Sequence, residues 1–364
     1  MSELSAEDKC WLDAASRHAA PFAGTTADSP TVAALIVEPL SQTLVARAVT
    51  GRGGRPHAES QAIEAAGFEA AGCTLYVTLE PCHQWGRTPP CVDAIIRAGI
   101  MRVVIGAADP HRPGGVAHLE SAGIETILAH HAPSLAHHAG HLLRHTANRP
   151  FVTLALSVSS DGKIDRSGDG AVAVLGSAAR DWMGALRARS DAIVVGAAAA
   201  RSNPDLTVKL PGLEMRTPLR VVLSGATGVD RRMNLIGGFS GYRTAIIAET
   251  TVLVDAPVSV QTIRVTGSGG RPDLKAALAA LSDKGIQNLL VEPGQQLLAA
   301  MLEADLVDCV VVLTAPGLIG DTGLPASPDG PIADLMSAAG LVELDRQRLG
   351  EDTLMRYARP SQPV

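Results

Sequence analysis

Basic charge is not in excess in this chain: 31 Lys and Arg stand against 37 Asp and Glu, a formal net charge of −6. That balance argues against a large cationic footprint for duplex nucleic acid or an anionic membrane. It leaves room for a local anion pocket that takes a small phosphorylated ligand. Long apolar runs are missing too, since the longest, Ala192 to Ala200, is far short of the ~20 residues of a membrane span. The opening stretch Ser2-Glu3-Leu4-Ser5-Ala6-Glu7-Asp8 is acidic without an apolar core, so no secretory signal is expected. Cysteines are few and odd in number, five across the chain, which does not read as a disulfide framework. A cytoplasmic location is the expectation. Aromatics make up only 3% while alanine, valine, leucine and glycine dominate, a mix suited to layered α/β structure. There is no internal repeat and no low-complexity tract.

At 364 residues, with 46% hydrophobic composition, the chain is long enough for two cores. Residues 31–37, 74–79 and 102–106 read as buried strands, and 57–66 and 91–98 as helices. Strands alternating with helices predict a mostly parallel sheet covered on its faces. From His130 to Pro150 six histidines crowd a polar stretch. Their spacing fits no compact ligand set, and a solvated connecting helix is expected there. After Pro150 new buried strands begin at 151–156, 192–195, 220–223, 244–248, 288–291 and 307–313, with helical patterns at 177–189 and 273–284. The expected division is residues 1–147 and residues 149–362.

The strongest signal is Pro56-His57-Ala58-Glu59, then Thr78-Leu79-Glu80-Pro81-Cys82, then Cys91. It matches the H-x-E and P-C…C pattern of zinc deaminases that act on nucleobases. One imidazole and two thiolates suit zinc, and three protein ligands leave a fourth position for water, as catalytic sites require. Zinc lowers the pKa of such a water towards ~7. Glu59, two residues after the ligand His57, can sit beside the metal without binding it and move protons. Cys10, Cys73 and Cys309 lack such company.

Eight residues, His83 to Pro90, separate the two ligand cysteines where the generic pattern has two. This insertion can arch over the metal, and Arg87 is its candidate for a phosphate or a ring carbonyl. The stretches TLEPCHQWGRTPPC and AGIMRVVIGAADP resemble the deaminase half of the bifunctional deaminase–reductase family of riboflavin biosynthesis. The resemblance implies a three-layer cytidine-deaminase-like domain that removes an amino group from a diaminopyrimidinone bearing a ribose 5-phosphate. Upstream, Ser29-Pro30 stands where the family usually has Asn-Pro.

The second half is similar to the reductase half of the same family, with a dihydrofolate-reductase-like fold. Matching stretches include Ser160-Asp161-Gly162-Lys163-Ile164, Asn203-Pro204-Asp205-Leu206-Thr207-Val208 and Val291-Glu292-Pro293-Gly294. Glu292 to Leu297 reads as a strand end running into a helix, where backbone N–H groups can hold a phosphate and Gly294 permits close approach. The resemblance implies NADPH as cofactor. It places Arg180, Leu206, Lys209 and Glu292 on substrate positions. Val158, Ala199, Ser202 and the run from Gly294, with Gln295 and Gln296, fall on cofactor positions. Lys209 replaces an arginine, keeping the charge without the bidentate fork. Gly170 and Val172 replace a serine and a tryptophan, and Ser202-Asn203 replaces a pair of aspartates.

The expectation is an α/β, two-domain enzyme carrying one zinc per chain and using NADPH. Its substrate is a small phosphorylated pyrimidine, with no nucleic acid or membrane partner, and it assembles as a homo-oligomer through the reductase domain. One rival is a transfer-RNA or nucleoside deaminase with an unrelated appendage, against which the GRTPPC loop speaks. Another is a deaminase whose second half is a non-catalytic dimerisation or ligand-sensing module.

Overall fold

The computed structural model describes residues 4–86, 88–166, 175–202, 204–229, 231–237, 241–327 and 330–360. The chain folds as two compact units, one up to Ala147 and one from Asn148.

In the first unit, β1 (Ala33–Glu38) runs antiparallel to β2 (Thr43–Val49) and to β3 (Thr74–Val77), and β3, β4 (Arg102–Ile105) and β5 (Glu125–Leu128) are parallel, in the order β2-β1-β3-β4-β5. The expected parallel sheet therefore covers only three of its strands, because β2 returns as a hairpin beside β1. Alternation along β1 makes the layers: Ala33, Leu35 and Val37 face one way and Ala34 and Ile36 the other. The first face packs on α1 (Ala6–Ala19) through Leu12, Ala15 and Ala19. The second packs on α2 (Ala58–Ala66), α3 (Cys91–Arg97) and α4 (Gly115–Ser121) through Ala58, Ala62, Val92, Ile95 and Leu119. The result is a three-layer α/β sandwich.

The start of α1 is locked by its sequence. Ser5 and Asp8 form a capping box, and the buried Asp8 also takes Arg102 through both oxygens, at 2.7 and 2.9 Å, and the Tyr76 hydroxyl at 3.0 Å.

The histidine-rich stretch departs from expectation. It forms two short helices, α5 (Ala132–His137) and α6 (Ala139–Ala147), and His131, His138 and His141 are buried. Each has a partner in the first unit: His131 meets Ser134 and Asp13, His138 meets the Thr78 hydroxyl at 3.0 Å, and His141 meets Asp109 at 2.8 Å. Each is tied into the first unit by at least one ring nitrogen, which a composition count cannot reveal.

The second unit contains β6 (Phe151–Val158), β7 (Lys163–Arg166), β8 (Ala192–Gly196), β9 (Leu219–Leu223), β10 (Thr244–Glu249) and β11 (Gln261–Val265). The short β12 (Gly267–Ser268) and β13 (Arg271–Pro272) follow, then β14 (Asn288–Val291), β15 (Cys309–Thr314), β16 (Gly323–Pro325), β17 (Val342–Leu349) and β18 (Asp352–Ala358). Nine of these form one sheet in the order β11-β10-β9-β8-β14-β6-β15-β18-β17, parallel from β11 to β15 and antiparallel at β18 and β17. Its helices are α7 (Ser177–Ala188), α8 (Ala197–Arg201), α9 (Asn234–Gly237), α10 (Leu274–Asp283), α11 (Gln295–Glu303) and α12 (Ile332–Ala338). Apolar clusters cover both faces of the sheet, one around Leu154, Ile247 and Val310 and one around Ile193, Ile246 and Val311. No described helix is long and apolar enough to cross a membrane.

Candidate active sites

His57 is the N-cap of α2, with extended backbone, and Glu59 lies in the first turn of the same helix. Cys82 sits in the loop after β3, and Cys91 opens α3. The fold brings the three ligand-type side chains together. His57 Nδ1 lies 3.1 Å from Cys91 Sγ and 3.5 Å from Cys82 Sγ, and the three donor atoms fall within 4.8 Å of one another. The backbone N–H of Cys91 points at Cys82 Sγ, 3.5 Å away. A hydrogen bond from the Cys91 thiol, helped by His57, brings Cys82 down to about 4 against the effect of burial, and the same pairing together with burial pushes Cys91 up. One imidazole nitrogen and two sulfurs make a donor set that fits tetrahedral zinc with one position open.

That open side faces a cavity of about 440 Å³, whose lining includes Ser29, His57, Glu59 and Cys82. Glu59 is buried, and burial raises its carboxyl above the ordinary range, with His57 opposing and Cys82 adding to the shift. A carboxyl so placed holds a proton more readily than an exposed one. Ser29 reaches the cavity because Gly54, at φ +86°, has no side chain; a Cβ there would lie 2.3 Å from the Ser29 hydroxyl.

Several cavity residues come from places the motif does not mark. Glu80 is buried and accepts from the backbone N–H groups of Asp109, Gly114 and Val116, each at 3.1 Å, so it ties the loop after β4 to the metal loop. A Cβ on Gly115 would meet the Pro81 carbonyl at 2.2 Å, so that approach needs glycine. Asp109 accepts from the His111 N–H at 2.9 Å and pairs with His141 at 2.8 Å; these outweigh its burial and hold its carboxyl low. His111 stacks on His145 with ring centres 4.1 Å apart, and Arg55, Arg112 and Arg144 complete the wall. Arg87 lies outside the described residues.

In the second unit, β8, β14 and β6 are adjacent and parallel, so their carboxyl ends share one edge of the sheet, the usual place for a ligand in open α/β folds. Val158 ends β6, Ala199 and Ser202 follow β8, and Glu292 and Gly294 follow β14. Gly294 is the N-cap of α11, no side chain caps that helix, and nothing lies within 4 Å of where a Gly294 Cβ would be. An open, uncapped helix start of this kind suits a cofactor phosphate, with Gln296 in its first turn. Gln295 instead donates to the Pro325 carbonyl at 3.2 Å.

The substrate positions are more mixed. Glu292 holds Arg187 through two bonds at 2.8 and 2.9 Å, and Arg187 also donates to the carbonyls of Asp205 and Thr207. Arg187 thus fixes Glu292 against the 205–207 loop, a role the motifs did not mark. Leu206 is fully buried in the apolar cluster around Ile193. Lys209 is largely exposed and pairs with Asp205 at 2.7 Å. Arg180 donates to the Leu175 carbonyl at 2.5 Å from the exposed side of α7. Gly170, Val172 and Asn203 lie outside the described residues.

Comparison with known proteins agrees with both halves. The family model described as the RibD C-terminal domain matches residues 150–353, and that of the cytidine and deoxycytidylate deaminase zinc-binding region matches residues 6–107. The riboflavin biosynthesis protein RibD of Aquifex aeolicus is 31% identical over 361 residues, covering 97% of this chain and 98% of its own. That of Escherichia coli strain K12 is 32% identical over 317 residues, covering 81% of this chain and 84% of its own. Among solved structures, Acinetobacter baumannii RibD superposes with a TM-score of 0.83 at 27% identity, covering 97% of this chain and 98% of its own. A Thermotoga maritima diaminohydroxyphosphoribosylaminopyrimidine deaminase/5-amino-6-(5-phosphoribosylamino)uracil reductase gives 0.81 at 26% identity, covering 97% and 99%. A non-catalytic second half is not favoured by these matches, and this chain belongs to the riboflavin biosynthesis protein RibD family, enzymes that join a zinc-dependent deaminase to an NADPH-dependent reductase.

Proposed function

We propose that the first unit hydrolyses the 2-amino group of 2,5-diamino-6-(5-phosphoribosylamino)pyrimidin-4-one and that the second reduces the ribosyl group of the product to ribityl. The observation that carries the reading is the convergence of the His57, Cys82 and Cys91 donor atoms beside a cavity that His57, Cys82 and the buried Glu59 line. These three side chains would hold zinc, which when bound supplies the Lewis acidity that activates water at neutral pH. The Glu59 carboxylate takes a proton from the attacking water and returns it to the departing nitrogen, so that water and the amine become a carbonyl and ammonia. Ser29 is placed to hydrogen-bond the pyrimidine ring, and Arg87 is assigned to the insert's contact with it.

In the second unit, NADPH supplies the hydride and the protein positions it. Val158, Ala199, Ser202 and the start of α11 at Gly294 and Gln296, with Gln295 beside them, are assigned to the cofactor. Arg180, Lys209, Leu206 and the Arg187-fixed Glu292 are assigned to the substrate. We read the enzyme as cytoplasmic and as a homo-oligomer joined through the second unit, the edge strand β17 with its exposed Val342 and Leu344 being the surface offered for it.

The test is a purified full chain supplied with the phosphorylated diaminopyrimidinone and NADPH. One zinc per chain, ammonia release and NADPH oxidation are expected in that order, and Cys82→Ser should lose zinc and ammonia release together. Ammonia release without any NADPH oxidation would overturn the reductase assignment, and full zinc occupancy in Cys82→Ser would remove Cys82 from the ligand set.

A further inference from the structure

We propose that Arg55 and Arg112, with the His111–His145 stack beside them, form the subsite that receives the substrate's dianionic phosphate at the mouth of the deaminase cavity. The inference rests on the reading of the first unit as a deaminase of a phosphorylated pyrimidine, and it assigns that phosphate to residues the metal motif does not contain.

The two guanidiniums converge from separate loops. A Cβ on Gly86 would lie 3.3 Å from Arg112 Nη1 and 3.8 Å from Arg55 Nη2, so both cations approach one point of the loop between the ligand cysteines. Among the described residues neither forms an ion pair with a carboxylate. Two like charges this close repel unless an anion lies between them. Arg55 Nε and His141 Nδ1 are buried without a hydrogen-bond partner, and both residues line this cavity. An unmet buried donor such as the Arg55 Nε–H is costly in a free protein and is satisfied by an anionic ligand, while His141, whose Nε2 meets Asp109, leaves Nδ1 as a further open polar atom of the wall.

The carboxylates of the cavity do not neutralise the pair. Glu80 is spent on three backbone N–H groups, Asp109 on His141 and the His111 N–H, and Glu59 lies buried beside the metal ligands. Asp28 lies on the exposed rim, where its carbonyl takes Arg144 at 3.0 Å. Depth supports the direction: of the lining residues Glu59 is buried, whereas His111 and Gly86 are exposed and Arg112 is half-buried. A substrate with its amino group at the floor therefore carries its phosphate outward to the cations. The bidentate fork of arginine matches a phosphate's oxygens, which a lysine could not reproduce.

The experiment uses the zinc-loaded full chain and compares KM and kcat for the phosphorylated substrate and for its dephosphorylated counterpart. Arg112→Ala and Arg55→Ala should each raise KM for the phosphorylated form ~10–100-fold with kcat nearly unchanged, the pattern of a lost charged contact that binds without reacting. KM for the dephosphorylated form should stay put, zinc content should be unaltered, and Arg112→Lys should recover part of the loss. Competitive inhibition of deamination by inorganic phosphate should weaken in the same variants, and His111→Ala should move the same KM by a smaller factor. Parent and variants preferring the phosphorylated form equally would overturn the subsite. A parent that deaminates no phosphorylated pyrimidine would overturn the deaminase reading and the subsite with it.

Discussion

Glu59 and its neighbours show what a single residue can announce. A metal ligand must be a particular side chain, so His57, Cys82 and Cys91 are legible as letters before any fold is known, and the helix start that follows His57 explains why Glu59 falls beside the metal. Glu59→Gln keeps size and hydrogen bonding but cannot take a proton. Zinc content should remain at the parent level while deamination falls at least ~10²-fold, the usual scale for a general acid–base group; metal analysis beside an ammonia assay checks both, and near-parent turnover would remove Glu59 from proton transfer. Arg55, Arg112 and His141 could not be read in the same way. They come from three loops or helices far apart in sequence, and arginine and histidine have many surface uses, so only the cavity joins them. Arg187 was obscured for another reason: it lies 105 residues from Glu292 in sequence, and only the fold brings the two into an ion pair.

At the scale of elements, burial decides what could be read. The strands β1, β3, β4, β8, β14 and β15 are nearly continuous apolar runs and stand where sequence periodicity places them. The hairpin strand β2 and the edge strand β17 carry charged or polar residues on exposed faces, so they look like loops until a partner strand is found. The histidine stretch fails for the converse reason: three of its histidines, His131, His138 and His141, are inside and hydrogen-bonded. The anchor of α1 yields a stability prediction. Burial raises the Asp8 carboxyl, but Arg102, Ser5 and Tyr76 outweigh it and bring it down to about 2, against 3.8 for a free aspartate. A group whose folded pKa is depressed stabilises the fold above its unfolded pKa, and that stability is lost as pH falls through the folded value. The first unit should therefore lose ~2 kcal/mol between about pH 5 and pH 2 from this residue. Asp8→Asn should be less stable than the parent at pH 7 by denaturant titration, and the gap should close in acid. A gap that is constant with pH would show that the charge of Asp8 contributes nothing.

At the scale of the whole molecule, the two chemistries ask for different things from their units. Deamination needs a metal and one buried proton carrier, which the first unit holds on α2, α3 and the loops around them. Reduction needs a long parallel sheet edge on which a cofactor and a sugar can be laid side by side, and the second unit supplies three adjacent strand ends for it. The apolar clusters of the first unit draw their members from residues no later than Leu135, and those of the second from Phe151 onward. A core complete within its own stretch of chain is the physical condition for folding alone. A chain cut to residues 1–147 should accordingly fold, bind one zinc and release ammonia from the phosphorylated diaminopyrimidinone, while residues 149–362 should bind NADPH without metal. In the full chain, a chelator that strips zinc should abolish ammonia release and leave NADPH oxidation intact when the deaminated product is supplied directly. Circular dichroism, metal analysis and the two assays measure each arm. An insoluble, metal-free product from residues 1–147, together with loss of NADPH oxidation on chelation, would mean that the units depend on one another for their folding and that the metal stabilises both. Retention of each activity in its own piece would mean that the chain joins two self-sufficient enzymes, and that joining them serves the consecutive use of one substrate.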